Sequence, residues 1–140
     1  MKEGLFRTSS DEETVKLGGR IGASLPPKAC VLLIGNLGAG KTTLAKGIIH
    51  GLGLAEPEEV ASPTFTLIHE YGEGRAYHID LYRLEEARQI ATLGLDDIFH
   101  REAIVLIEWG ERFLEIMPAD RIEIRLTYAG DETRVVEYSE

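Results

Sequence analysis

Cysteine is nearly absent from this 140-residue chain: Cys30 is the only one, which rules out an internal disulfide and a cysteine-based zinc cluster. Cys30 sits inside an apolar run and reads as a small core residue. Long hydrophobic stretches are missing too. "ACVLLIG" and "AIVLIEW" fall far short of the roughly 20 apolar residues that span a bilayer. The opening "MKEGLFRTSSDEE" has no apolar signal-peptide core, so no membrane contact and a cytoplasmic location are expected. Positive charge is also scarce. A net charge of −9 with no Lys/Arg run argues against independent binding to a nucleic-acid backbone, which needs basic groups to displace counterions. His50, His69, His78 and His100 have no close metal-ligand spacing and read as surface or packing residues. Repeats and low-complexity tracts are lacking as well, and 44% hydrophobic content over this length suits one domain, residues 1–140.

What is present alternates between strand and helix patterns. After a short strand near "GLFRT", Ser10 precedes Glu13 at the spacing of a capping box, and Val15, Leu17 and Ile21 carry a helix forward. Gly18, Gly19 and Gly22 work against a long one. "KACVLLIG" reads as a buried strand and "KTTLAKGIIHGLG" as a helix with Leu44, Ile48 and Leu52 on one face. "TFTLIHEY" and "RAYHIDLY", separated by "GEG", predict an antiparallel hairpin. "LEEARQIATLGLDDIF" predicts helix broken at Gly94, "AIVLIEW" a strand buried on both faces, "GERFLEIM" a short helix, and "RIEIRLTY" with "TRVVEYS" a terminal hairpin. The expected fold is a three-layer α/β domain of the P-loop NTPase type, its sheet partly parallel with antiparallel additions.

The densest chemistry lies at Gly35 to Thr42, "GNLGAGKT", which fits G-x-x-x-x-G-K-[ST] at every fixed position, between a predicted strand and a predicted helix. In such a loop the backbone N–H groups of Gly38, Ala39 and Gly40 converge on phosphate oxygens. Lys41 bridges the outer phosphates, and the Thr42 hydroxyl binds Mg²⁺. Thr43 either touches the α-phosphate or merely continues the helix.

A phosphate site with Mg²⁺ also wants an acid at the end of a neighbouring strand. Glu108 after "AIVLI" and Asp80 after "AYHI" compete, both at the carboxyl edge where open α/β sheets bind ligands. Glu108 is assigned to Mg²⁺, directly or through water. Asp80 is assigned to water positioning or to the second magnesium shell. Trp109, the sole tryptophan, either stacks on a ligand or partner or belongs to the core. Ser62, Pro63 and Thr64, in "SPTFT", occupy the place of a loop that senses the γ-phosphate, or else form a plain strand-entry turn. Arg134 in the terminal hairpin is a candidate for the base or a phosphate.

Taken together, "GNLGAGKTTLAKG", "SPTFTLIHEY", "HIDLYRL" and "LIEWGERF" resemble the TsaE family, small P-loop ATPases of bacterial tRNA threonylcarbamoyladenosine biosynthesis. The resemblance implies ATP and Mg²⁺ as cofactors, ATP hydrolysis, and assembly with TsaD and TsaB, with tRNA met only through the complex and the group transfer left to TsaD. It also implies that Asp11, in "TSSDEET", lies near the nucleotide base, and that "SPTFT" is switch-like. Asn36 stands where many members carry an acid, a variable position of the loop. Two other readings use the same P-loop: a small-molecule kinase, which needs an acceptor pocket and lid for which the short connections leave little room, and a nucleotide-dependent interaction module without hydrolysis. No N/T-K-x-D guanine-reading motif is present. No arginine finger is marked by motif, so hydrolysis by the isolated chain is expected to be slow.

Overall fold

The computed structural model describes residues 3–140. Strands β1 (Glu3–Thr8), β2 (Ala29–Ile34), β3 (Ile68–Tyr71), β4 (Ala76–Asp80), β5 (Ile104–Glu108), β6 (Ile122–Gly130) and β7 (Thr133–Ser139) form one sheet in the order β1-β7-β6-β2-β5-β4-β3. The middle is parallel: β2 pairs with β5 and β6, and β4 with β5. The flanks are antiparallel: β1 with β7, β6 with β7, and β3 with β4. Helices α1 (Asp11–Ser24), α2 (Lys41–Gly51), α3 (Ala87–Ala91) and α4 (Leu95–Phe99) complete the chain with short 3-10 segments at Pro57–Glu59 and Gly110–Ile116.

Period-2 alternation divides the buried strands between two cores. Val31 and Leu33 of β2 and Leu106 of β5 pack under α1 and α2 with Leu17, Ile21, Leu44 and Ile48. Cys30, Leu32 and Ile34 face the other way, with Val105 and Ile107, against Ile90, Leu95, Ile98 and Phe113. The sheet is thus covered on both faces, and the expected three layers form. Burial pushes the Cys30 thiol up to about 12, in keeping with a packing role.

Helix α1 runs its full 14 residues despite its glycines. Ser10 caps it by accepting the Glu13 N–H, while the Glu13 carboxylate takes the Ser9 N–H. The glycines exist for contact. A Cβ on Gly47 would stand 2.1 Å from the Val15 carbonyl oxygen, and one on Gly22 2.3 Å from that of Ile48. The two helices therefore meet backbone to backbone along much of their length.

Three predicted boundaries shift. The strand expected over "TFTLIHEY" begins only at Ile68, because Leu67 takes a left-handed φ of 70° and its N–H closes a turn on the Pro63 carbonyl at 2.6 Å. The helix expected from Leu84 begins at Ala87, capped by Glu86 and Gln89, and breaks as expected at Gly94, whose φ is 75°. "GERFLEIM" forms 3-10 turns kinked at Phe113 instead of a regular helix.

Candidate functional site

Parallel pairing sets β2, β4 and β5 side by side with their carboxyl ends on one edge, and the chain leaves each end with chemistry. Ile34 passes into the Gly35–Gly40 loop and α2, while Asp80 and Glu108 are direct neighbours in the β4–β5 register. Gly38 and Gly40 have φ of 81° and 103°, a left-handed backbone that an L side chain rarely adopts and that turns the loop around the space above the helix start.

A cleft of about 340 Å³ opens there, lined by Asp11, Leu37, Gly38, Gly40, Lys41, Thr42, Thr43, Ser62, Thr64, Asp80, Tyr82, Glu108, Trp109 and Arg134. Residues far apart in sequence, from Asp11 to Arg134, meet in it. Ala39 and Pro63 do not line it. Ala39 is buried and its N–H closes the loop on the Asn36 carbonyl, and Pro63 is buried under the turn that carries Thr64. Asn36 faces a neighbouring cleft with Ala39, Arg125, Thr127 and Tyr128, away from the phosphate side.

Lys41 is 5% exposed. Its ammonium donates to the Gly35 carbonyl at 2.7 Å and stands 3.5 Å from the centroid of the Trp109 ring. Burial holds its pKa below the usual lysine value, against the pull of Glu108, Glu111 and Asp80, while Arg112 lowers it further. Trp109 itself has a left-handed φ of 68°, unusual for a bulky residue. Its ring is tilted against Tyr82 at 5.2 Å and carries the Arg112 guanidinium at 4.6 Å. Trp109 thus borders the cleft and also packs against the core below β5, as the core reading of it had expected.

The two acids are both 4% exposed, yet they are held differently. Glu108 Oε2 accepts the Thr42 hydroxyl at 3.0 Å and the Nε2 of His78 at 2.7 Å. A hydroxyl that gives its proton to Glu108 keeps its lone pairs for a cation. Asp80 accepts the Tyr82 N–H at 2.9 Å on Oδ1 and the Thr64 hydroxyl at 3.3 Å on Oδ2, and Thr64 pairs with Ser62 at 2.7 Å. "SPTFT" is a turn, as one of its two readings had it, and that turn is wired to Asp80. Its tip, Phe65, is 83% exposed, Leu37 and Tyr82 are exposed apolar groups lining the cleft, and Tyr128 is another lining the neighbouring one.

The donor set suits a small hard cation: a hydroxyl and carboxylates, all oxygen. Among the described residues no group of three His, Cys, Asp or Glu is arranged to hold a metal alone. Phosphate oxygens would have to complete the shell of Mg²⁺, as in P-loop sites. Arg134 lines the cleft beside the glycine loop, its Nε buried without a hydrogen-bond partner and its guanidinium over Tyr128 at 4.5 Å. An unpaired buried guanidinium N–H beside Gly40 is a donor in wait for an acceptor.

Reading the sequence missed Tyr82, Arg112 and His78. Tyr82 and Arg112 lie within the motifs "HIDLYRL" and "LIEWGERF", two and four residues past the two acids, which was a usable signal. His78, expected to be a surface or packing residue, is wholly buried, as the packing alternative had it, and is in addition bonded to Glu108. Its place at the head of "HIDLYRL" and its alternation with Asp80 on one strand face were the hints.

Among the described residues no helix is long and apolar enough to cross a membrane. Residues 8–136 match the family model described as "Threonylcarbamoyl adenosine biosynthesis protein TsaE". The tRNA threonylcarbamoyladenosine biosynthesis protein TsaE of Bacillus subtilis is 40% identical over 141 residues, covering 99% of this chain and 87% of that one. Its counterpart in Nostoc is 44% identical over 132 residues, covering 90% and 79%. The crystal structure of Bacillus subtilis YdiB superposes with a TM-score of 0.78 at 35% identity, covering 98% of this chain and 84% of that one. With the family model matching residues 8–136 and relatives 40% and 44% identical over most of the chain, the protein belongs to the TsaE family of tRNA threonylcarbamoyladenosine biosynthesis.

Proposed function

We propose that the chain is an ATP-binding, Mg²⁺-dependent ATPase subunit of tRNA threonylcarbamoyladenosine formation, acting in the cytoplasm with TsaD and TsaB homologues and leaving the group transfer to them. One observation carries the reading: the left-handed glycine loop, Lys41, the Thr42–Glu108 pair and Asp80 converge in a single cleft that Asp11 and Arg134 also line. In this reading the N–H groups of Gly38, Ala39 and Gly40 and the start of α2 hold phosphate oxygens. Lys41 leaves the Gly35 carbonyl to bridge the outer phosphates, and Thr43 supports the inner one. Thr42 and Glu108 hold Mg²⁺, whose chemistry is to neutralise charge on the phosphate oxygens as it builds up. Asp80 orients the attacking water and takes up its proton, and Arg134 and Asp11 border the base.

Two features support dependence on partners. The exposed apolar groups Leu37, Phe65, Tyr82 and Tyr128 give another subunit something to cover. The Arg112 guanidinium rests on Trp109 and donates to the Tyr82 carbonyl at 2.8 Å, so it is engaged with the protein and not with the cleft. A net charge of −9 fits tRNA contact through partners. Phosphate release from wild type and from Asp80→Ala, each with and without TsaD and TsaB, tests this. The expected result is slow release by wild type alone, stimulation by the partners, and little release by the variant in either case. Equal release by wild type and variant contradicts hydrolysis at this site, and fast release without partners contradicts the dependence.

A further inference from the structure

The carboxylate of Glu108 sits at the bottom of the cleft, and its placement decides where a cation would stand. Both protein hydrogen bonds to it fall on Oε2: the Thr42 hydroxyl at 3.0 Å and the His78 ring at 2.7 Å. Thr42 reaches in from α2, the element that also carries the phosphate loop. His78 reaches across from β4, two residues before Asp80 and level with Leu106 of β5, on the strand face that Glu108 shares. The ring is 0% exposed. A carboxylate oxygen only accepts, so Nε2 carries the proton of that bond, while Nδ1 has no partner.

Burying an imidazole with one nitrogen unpaired is not what packing alone selects, since an apolar side chain would fill the same space without an orphaned polar atom. The arrangement makes sense if the other nitrogen has a task. We propose that His78 is a positioning residue for cation binding: it fixes the rotamer of Glu108 so that the carboxylate meets Thr42 and the magnesium of a bound nucleotide. The proposal rests on the Mg²⁺-nucleotide reading of the cleft. Outer partners that orient a metal-site carboxylate typically matter about ten- to a hundredfold in metal affinity.

The test is a titration of ADP binding in Mg²⁺ and, separately, in EDTA, for wild type, His78→Leu, His78→Gln and Glu108→Gln, with thermal unfolding recorded for each. His78→Leu is expected to lower the Mg²⁺-dependent gain in ADP affinity about tenfold and to leave binding in EDTA unchanged. His78→Gln, which keeps an N–H near the same place, is expected to restore most of the gain, a rescue that packing alone does not predict. In the Glu108→Gln background His78→Leu should add no further loss. An unaltered gain in His78→Leu, or equal losses in Mg²⁺ and EDTA, overturns the proposal. Failure of wild type to bind ADP at all overturns the nucleotide reading on which it rests, which is a distinct result. ¹⁵N spectra of the wild-type histidines need neither ligand nor variant: a proton on Nε2 of His78 is expected, and a proton on Nδ1 with Nε2 bare overturns the proposal.

Discussion

Asp80 and Glu108 are paired across neighbouring strands, equally buried, and open into one cleft, yet one is fastened to the core and the other to a loop. Glu108 is gripped by the buried His78 of β4 and by Thr42 at the head of α2, both in regular structure. Asp80 is gripped by Thr64 and by the N–H of Tyr82, in segments without regular structure whose tips include the exposed Phe65. The difference teaches a division of labour. A group that fixes a cation is best held by rigid neighbours, while one that handles water is best placed where a loop, and through it a partner, can move it.

The sharpest break of the comparison is Glu108→Gln. It preserves shape and a hydrogen-bond acceptor for His78 but removes the charge, and it is expected to cut hydrolysis about a hundredfold or more together with the Mg²⁺-dependent gain in nucleotide affinity. Parallel phosphate-release and binding titrations read both. Asp80→Ala is next: hydrolysis should fall about a hundredfold, as expected for a lost general base, while ADP affinity in Mg²⁺ stays within about threefold. Thr64→Ala removes one hydrogen bond to a carboxylate, worth about 1.5 kcal/mol, so a roughly tenfold lower turnover is expected with unchanged ADP affinity. The smallest effect on the isolated chain belongs to Phe65→Ser. With its ring in solvent, stability should stay within about 0.5 kcal/mol by thermal or denaturant unfolding, while stimulation of turnover by TsaD and TsaB falls. A loss of basal turnover in Phe65→Ser as large as in Thr64→Ala would blur the line between loop tip and wired residue.

The two regions were not equally legible in the sequence. Glycines, Lys41 and Thr42 form one contiguous motif whose spacing is set by a local task, so they are visible without a structure. Asp80 and Glu108 were visible as carboxylates closing apolar strands, and their adjacency followed from the parallel β4–β5 pairing. His78 was not, because a histidine alternating into a core looks the same whether it packs or bonds, and its partner lies 30 residues away. The glycines of α1 misled for a similar reason. Counted by propensity they weaken a helix, whereas their purpose lies in the backbone of α2, with Gly18 and Gly22 pressed against the Leu44 and Ile48 carbonyls of the facing helix. Turn chemistry explains the late start of β3, since neither Leu67 nor its neighbours carry the glycine that usually marks a left-handed residue.

The separation of the two acids is tested most directly by measuring ADP affinity as a function of Mg²⁺ concentration for Glu108→Gln and Asp80→Ala side by side. The expected result is that Glu108→Gln loses the dependence on Mg²⁺ while Asp80→Ala keeps it. The reverse, with Asp80→Ala insensitive to Mg²⁺ and Glu108→Gln still responsive, would contradict the assignment of the cation to the rigid, core-held carboxylate.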